Sequence, residues 1–231
     1  MLLYQPHNGY CYNSDSLFLY DFINSFNPRG KILDVGAGCG IVGLLVARDN
    51  EKVNLEAVEK QDIFVSLATI NARVNKIKYK IKKTDILEYD EKQKYDFIIS
   101  NPPFYNQGSK QSKNNILFNA RYNVNLPIDK FFKKITRLLK PQGHFIFCYE
   151  ASQFFLVCAE LDKVKLRVVD VRFVHSRLDK KASLVLIHAR NSSKSLMNVL
   201  SPLITMKDKN YTKEVEEIFK KASTQSIKCQ L

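Results

Sequence analysis

The sequence predicts an α/β fold in which a doubly wound, mostly parallel sheet ends in an antiparallel hairpin. Apolar runs rich in β-branched residues alternate with segments of helical periodicity, which is typical of a parallel sheet with helices on both faces. The last two predicted strands are joined by a turn too short for a crossover helix, so they must pair antiparallel. The chain has 231 residues, 45% hydrophobic and 26% charged, which fits one compact domain.

Each element is predicted from its own local pattern. The parallel strands are predicted at residues 31–35, 53–58, 79–83, 95–100 and 143–149. The helices are predicted at residues 41–48, 62–74, 128–139 and 151–162. The antiparallel pair is predicted at residues 167–174 and 183–189. Residues 105–125 and 191–195 lack a clear period, and long aperiodic loops in compact domains are usually functional or disordered.

Positive charge is concentrated in the second half of the chain. The net charge is +13, and residues 121–231 carry 21 basic and 10 acidic side chains, whereas residues 1–120 carry 15 and 13. Such a field attracts polyanions, either nucleic acid or an acidic membrane face. A lysine-rich composition unrelated to function is the alternative explanation.

Composition and the N-terminal sequence also bear on location and metal content. No apolar run is long enough to suggest a membrane span, and residues 1–10 do not have the pattern of a signal peptide. We therefore expect a cytoplasmic protein. The five cysteines are scattered, without a CxxC pair or metal-ligand spacing to histidine, so we expect reduced structural thiols and no metal site.

A glycine-rich turn follows the first predicted parallel strand. The segment ILDVGAGCG brings Gly36, Gly38 and Gly40 between a buried strand and a helix N-terminus. Glycine lets a ligand approach the backbone, and the helix dipole favours an anionic or polar ligand group. The loop alone does not identify the cofactor, because Gly38, Gly40 and Gly43 also satisfy the GxGxxG pattern of dinucleotide-binding proteins. A nicotinamide oxidoreductase therefore remains an alternative at this stage.

Acidic residues follow or end three successive predicted strands. Asp34 immediately precedes the glycine loop, Glu59 lies nineteen residues beyond Gly40, and Asp85 comes after the third strand. The carboxyl ends of parallel strands share one edge of the sheet, so these carboxylates are expected to surround one crevice. Glu59 stands where a carboxylate would bind ribose hydroxyls. Glu59 would suit either cofactor, whereas Asp34 and Asp85 resemble the acidic residues of methyltransferase motifs, and this resemblance favours S-adenosylmethionine over a dinucleotide.

The strongest motif is the tetrapeptide Asn101-Pro102-Pro103-Phe104 at the end of the fourth predicted strand. Two consecutive prolines make this segment stiff, which suits a preorganised catalytic site. The Asn101 side-chain oxygen and the Pro102 carbonyl can accept both hydrogens of an aryl amine, and Phe104 can stack on the base. The motif resembles that of methyltransferases acting on adenine N6, cytosine N4 or the glutamine amide of release factors.

Both ends of the chain resemble the bacterial tRNA1(Val) adenine N6-methyltransferase family. Gln5 and the segment GYCYNSDSLFL at residues 9–19 are similar to the family's opening, although Cys11 stands where the family has Arg. Residues 203–214 are similar to its closing segment. The resemblance implies a Rossmann-like class I methyltransferase fold, S-adenosylmethionine as cofactor, and an adenine in the anticodon region of a tRNA as target.

The resemblance also implies an organisation of the chain. Residues 1–30 would cover the methionine end of the cofactor, residues 31–190 would form the core, and residues 191–231 would pack on it. Tyr12, together with Tyr10, is a candidate wall residue, and Asp15 is a further candidate cofactor contact. From the residues alone, Asp15 also fits the N-cap of a helix over residues 16–26.

Basic residues near the predicted carboxyl edge are candidate RNA contacts. They are Lys110, Lys113, Arg121, Arg172, Arg177, Lys180 and Lys181. Three alternatives remain open: a release-factor glutamine methyltransferase, a DNA adenine methyltransferase, and a noncatalytic RNA-binding protein. The alternating lysines of residues 73–83 either contact RNA or protect an edge strand from aggregation.

Overall fold

The computed structural model describes residues 1–7, 11–90, 92, 94–102 and 126–229. Within these residues the strands are β1 (Leu2–Pro6), β2 (Gly30–Val35), β3 (Val53–Glu59), β4 (Tyr79–Lys83), β5 (Tyr95–Ser100), β6 (Leu139–Glu150), β7 (Leu166–His175), β8 (Ala182–Asn191), β9 (Asn198–Val199), β10 (Leu203–Ile204), β11 (Met206–Lys207), β12 (Asn210–Tyr211) and β13 (Gln225–Cys229). The α-helices are α1 (Ser14–Asn24), α2 (Ile41–Asp49), α3 (Asp62–Val74), α4 (Ile128–Leu138), α5 (Phe154–Lys163) and α6 (Lys213–Ala222). A short 3-10 turn, Ala151–Gln153, precedes α5.

Nine of the described strands form one sheet with the order β10-β7-β8-β6-β5-β2-β3-β4, and β9 pairs with β7 beside this path. Strands β2 to β6 are parallel, whereas β8 is antiparallel to both β6 and β7. The predicted α/β class, the parallel sheet and the antiparallel hairpin are therefore confirmed. The strand order reverses direction between β2 and β5, and in doubly wound sheets such a switch point is where ligands bind.

Most predicted element boundaries are close to those observed, but those of β6 and α1 differ. Strand β6 begins four residues earlier than predicted, at Leu139. Helix α1 begins at Ser14 and ends at Asn24, so Asp15 lies in its first turn and is not the N-cap. The N-cap is Asn13, whose extended backbone starts the helix and whose side-chain amide donates to Asp15 Oδ2 at 2.8 Å. The N-cap interpretation of Asp15 was wrong.

The core lies on both faces of the sheet. Helix α4 presents Phe131 and Phe132, which pack against Phe145 and Phe147 of β6 in edge and tilted ring contacts. All four side chains are nearly inaccessible to solvent. Aromatic side chains of this size contribute a large share of the burial that stabilises a fold, so this cluster fixes β6 beside β5.

The two ends of the described chain meet in a separate parallel pair, β1 with β13. The strand β1 is attached to the core by helix α3, because the buried Asn71 side chain accepts from Tyr4 N at 2.7 Å and donates to Tyr4 O at 3.0 Å. One turn later, Asn75 bonds both backbone groups of Leu2. The side-chain amides of α3 thus bond backbone groups of β1 as a second neighbouring strand would. The pairing of β1 with β13 was not predicted from the sequence.

We expect Asn71→Ala to lower the free energy of unfolding by about 3 kcal/mol, because one buried and two partly buried backbone groups would lose their partner. These groups are Tyr4 N, Tyr4 O and Cys39 O. The matched control is Asn75→Ala, whose bonds to Leu2 are exposed and whose loss should cost less than about 1 kcal/mol. Urea denaturation measures both values, and equal losses would contradict the assigned role of Asn71.

Candidate active site

The glycine loop occupies the switch point between β2 and α2. Gly36, Gly38 and Gly40 all have left-handed backbones, with φ of +67°, +56° and +84°. Side chains rarely adopt this conformation, so the turn depends on glycine. At Gly36 and Gly38 an added Cβ would meet no heavy atom within 4 Å. These two glycines therefore border open space, whereas Gly40 packs closely against α2 and α3.

Asn71, on helix α3, also bonds the backbone of the glycine loop. Its amide nitrogen donates to Cys39 O at 2.8 Å, and its side chain is fully buried. The same side chain bonds β1, so one residue connects the loop, α3 and the N-terminal strand. The signal in the sequence was an asparagine on the apolar face of a helix, because a buried amide requires partners.

Asp34 is the penultimate residue of β2 and is buried, with 2% of its surface exposed. Its Oδ2 accepts from Gly43 N at 3.1 Å. The pKa of Asp34 is raised to about 7, mainly by burial; the Gly43 N–H opposes this shift, and the nearby charge of Glu59 adds to it. A Cβ at residue 43 would lie 2.6 Å from Asp34 Oδ2, so Gly43 is required by this packing.

Glu59 ends β3 and shapes the loop from the neighbouring strand. Its Oε2 accepts from Gly38 N at 3.0 Å, and its Oε1 accepts from Lys60 N and Gln61 N at 2.8 and 2.9 Å. Burial raises the pKa of Glu59, and these three N–H groups oppose that shift. Asp85, beyond β4, accepts from Lys60 Nζ at 2.8 Å and from Leu87 N at 2.9 Å.

Asn101 follows β5, directly beside the glycine loop. Val35 and Ser100 are paired across β2 and β5, and Ser100 Oγ donates to Val35 O at 2.8 Å. The residues that follow these two strands therefore emerge side by side. The Asn101 amide nitrogen donates to Ser16 Oγ at 3.2 Å. Its oxygen accepts from Cys148 Sγ at 3.1 Å. Pro102 is buried, whereas Pro103 and Phe104 lie outside the described residues.

These elements surround a small cavity that is partly open to solvent. It is lined by Tyr12, Ser16, Asp34, Gly36, Ala37, Gly38, Cys39, Ile41, Val42, Phe64 and Asn101. Of the predicted cofactor residues, Tyr12, Asp34, Gly36, Gly38 and Asn101 are in the lining. Asp15, Gly40, Glu59 and Asp85 are not. Ser16 and Phe64 were not predicted, because they come from helices whose inward faces were not assigned.

The N-terminal segment supplies one wall of the cavity. Tyr12 N donates to Gln5 Oε1 at 2.9 Å, and the Tyr12 hydroxyl donates to Thr224 Oγ1 at 3.1 Å. Burial raises the pKa of Asp15, while its bond from Asn13 opposes the shift. Tyr10, the other tyrosine predicted for this wall, lies outside the described residues.

The β7–β8 turn lies at the same edge of the sheet as the cavity. Leu184, near the start of β8, pairs with Glu150 at the end of β6. The turn exposes Arg177, Lys180 and Lys181, and Lys180 is 3.3 Å from the Asp179 carboxylate.

Arg172 is bound within the protein, since its guanidinium donates to Ser201 O and to Glu214 Oε1. The other candidate RNA residues, Lys110, Lys113 and Arg121, lie outside the described residues. The alternating lysines lie near and on β4, which is an edge strand in the described sheet.

The described residues contain no group of three or more histidine, cysteine, aspartate or glutamate side chains with the geometry of a metal site. No helix among them is both long and apolar enough to cross a membrane. The five cysteines, all of which lie within this part of the chain, are free thiols.

Sequence comparison finds methyltransferases. A family model described as methyltransferase small domain matches residues 13–154. The tRNA1(Val) (adenine(37)-N6)-methyltransferase of Aliivibrio fischeri strain ATCC 700601 / ES114 is 33% identical over 140 residues, which are 59% of this chain and 59% of that protein. The protein of the same name from strain MJ11 is 33% identical over 165 residues, which are 69% of this chain and 70% of that protein. The similarity thus spans little more than half of the first relative.

A solved structure has the same fold. It is described as that of a predicted O-methyltransferase from Agrobacterium tumefaciens, and it matches with a TM-score of 0.71. The match covers 93% of this chain and 100% of that chain at 14% identity. At this identity the similarity extends to the fold only, which is that of a methyltransferase.

Proposed function

The chain belongs to the methyltransferase small domain family, and from this premise we propose that it transfers a methyl group from S-adenosylmethionine to N6 of an adenine in tRNA. The names of its relatives suggest adenine 37 of tRNA1(Val). The observation that carries the proposal is the position of Asn101, which lines the same cavity as the glycine loop and Asp34. A methyl donor and an amine acceptor could therefore meet at one place.

The cavity fits the cofactor on three counts. Gly36 and Gly38 border open space where any side chain would project, so the backbone can approach a ligand closely. The buried Asp34 carboxylate accepts a hydrogen bond from Gly43 N and suits an ammonium group. Glu59 and Asp85 extend the acidic edge toward a ribose and an adenine amine. The cofactor would supply an electrophilic methyl group on a cationic sulfur.

The chain's own residues would activate the acceptor amine. The lone pair of adenine N6 is delocalised into the ring, which makes the amine a poor nucleophile. Acceptance of its two hydrogens by Asn101 Oδ1 and the Pro102 carbonyl would favour a tetrahedral nitrogen with an available lone pair. The activated nitrogen would accept the methyl group that the cofactor supplies, and one amine proton would then leave to solvent. Phe104 is predicted to stack on the base.

Other functions are compatible with the tetrapeptide motif. A glutamine amide of a release factor or an adenine in duplex DNA could present the same amine, and a noncatalytic RNA-binding protein could keep the fold. Incubation with labelled S-adenosylmethionine and tRNA, release factor or duplex DNA separates these functions. We expect label in tRNA, mapped to N6-methyladenine. Faster labelling of DNA or protein would overturn the substrate assignment, and no labelling would overturn the activity.

We expect Asn101→Ala to reduce turnover about a hundredfold or more, because one oriented transition-state contact is lost. Affinity for S-adenosylmethionine, measured by calorimetry, should change little because the acceptor acts on the substrate. Asn75→Ala is the control, since this amide bonds Leu2 and Asn71, does not line the cavity, and should leave turnover unchanged. Full turnover in Asn101→Ala would remove this residue from the mechanism.

Cofactor affinity should improve about five- to tenfold between roughly pH 6 and pH 7.5. The pKa of Asp34 is about 7, so the carboxyl group is largely protonated at the lower pH and ionised at the higher one. An ammonium group binds the ionised form. Calorimetry on Asp34→Asn should show weaker binding without this pH dependence. An equal slope in the variant would assign the effect to another group.

Charge reversal in the β7–β8 turn tests the RNA surface. We expect Lys180→Glu with Lys181→Glu to weaken tRNA binding and to reduce its log–log salt slope by about 1 to 2, because phosphate contacts are lost. The matched control is Lys76→Glu with Lys78→Glu, an equal charge change near the opposite edge of the sheet. Filter binding measures both. Equal losses would indicate a diffuse field instead of a local contact, and a loss confined to the control would assign RNA binding to the lysines near β4.

A further inference from the structure

We propose that Ser16 and Cys148 are positioning residues that hold the Asn101 amide in the orientation needed for methyl transfer. The inference rests on the proposed function. It concerns how the acceptor oxygen is aimed, and neither residue need touch the substrate to do this. The two residues contact opposite ends of the Asn101 amide. Ser16, on helix α1, contacts its nitrogen, and Cys148, on strand β6, contacts its oxygen.

The geometry distinguishes the two ends of the amide. The Asn101 nitrogen donates to the Ser16 hydroxyl at 3.2 Å, and the Cys148 thiol donates to the Asn101 oxygen at 3.1 Å. Ser16 is 2% exposed and Cys148 is inaccessible to solvent, so water competes little for either bond. Neither contact depends on a mobile surface side chain. The amide is therefore clamped on both sides.

The orientation matters because an asparagine amide can rotate and exchange its oxygen for its nitrogen with almost no change in shape. The rotated amide would present N–H groups to the target amine, which itself supplies N–H groups. Two donors would then face each other. Only the observed orientation keeps the oxygen available as an acceptor, and an amide oxygen has two lone pairs, so the thiol leaves one for the substrate.

The chemistry of Cys148 suits this purpose. Burial raises the pKa of its thiol, and the nearby Asp15 carboxylate raises it further. The group therefore stays protonated and can donate a hydrogen bond, whereas a thiolate would repel the amide oxygen. A thiol is a weak donor. It can thus bias the amide without withdrawing much electron density from the oxygen that must accept from the substrate.

Ser16 adds a connection to the cavity wall. It lines the cavity together with Asn101 and Tyr12, and it lies in the first turn of helix α1. The amide is thus aimed by the same helix that borders the cofactor cavity. A shift of α1 would remove the acceptor for the Asn101 nitrogen.

The first experiment compares conservative and disruptive variants with labelled S-adenosylmethionine and a tRNA1(Val) transcript. We expect Ser16→Ala and Cys148→Ala each to lower kcat about tenfold, the effect of about 1.4 kcal/mol, with KM for RNA and affinity for S-adenosylmethionine within twofold of the parent. Cys148→Ser, which keeps a donor, should recover most of the loss. Cys158→Ala, which removes a thiol from the outer helix α5, is the control and should leave kcat unchanged.

The second experiment asks whether the residues act through Asn101. In an Asn101→Ala background, Ser16→Ala should lower the residual turnover less than twofold, because the amide to be positioned is already absent. An undiminished tenfold effect would overturn the inference. So would a loss of cofactor affinity in Ser16→Ala that matches its loss of kcat, since Ser16 would then serve the cofactor directly.

The outcomes separate this inference from the proposed function. If Asn101→Ala is nearly inactive while both alanine variants keep full turnover, the positioning role is wrong and the proposed mechanism stands. If Cys148→Ser loses as much turnover as Cys148→Ala, the thiol has a packing role only and its positioning role is wrong. If Asn101→Ala itself keeps full turnover, the proposed function of this amide fails and the inference fails with it.

Discussion

The site depends on the pairing of β2 with β5 at the switch point of the sheet. In this register Val35 is opposite Ser100, and the Ser100 hydroxyl bonds the Val35 carbonyl, so the two strands end at the same level. The glycine loop leaves one strand and Asn101 leaves the other. A slip of one residue would turn one strand's side chains to the opposite face. The cavity and the amide would then no longer share a wall.

The buried carboxylate at residue 34 opposes folding and favours a ligand. Desolvation of Asp34 is only partly compensated by the bond from Gly43, and the raised pKa reports that imbalance. Strongly perturbed groups of this kind occur more often at functional sites than elsewhere. Gly43 permits the burial because a Cβ there would collide with the carboxylate. The apparent dinucleotide pattern thus has a local packing cause at its third glycine.

Local patterns were sufficient to predict the parallel strands, the hairpin, the glycine loop and Asn101. They were insufficient where a contact joins distant residues. Asn71 bonds Tyr4 and Cys39, and β1 pairs with β13 across more than 220 positions. Nothing in either segment encodes the other. The ion pair of Arg172 with Glu214 is of the same kind, because a free cation and a paired one look identical in sequence.

These distant contacts determine how the cavity wall is held. Tyr12 lines the cavity, but its backbone is bonded by Gln5 and its hydroxyl by Thr224. Gln5 in turn bonds Ser226 of β13. The wall is therefore held by the pairing of the chain's two ends, whereas the loop and Asn101 are held by the central sheet. The N-terminal segment and the central sheet are connected at Ser16, since this residue lies on α1 and bonds Asn101 at the end of β5. The geometry of the amide consequently reflects both the central sheet and the terminal pair.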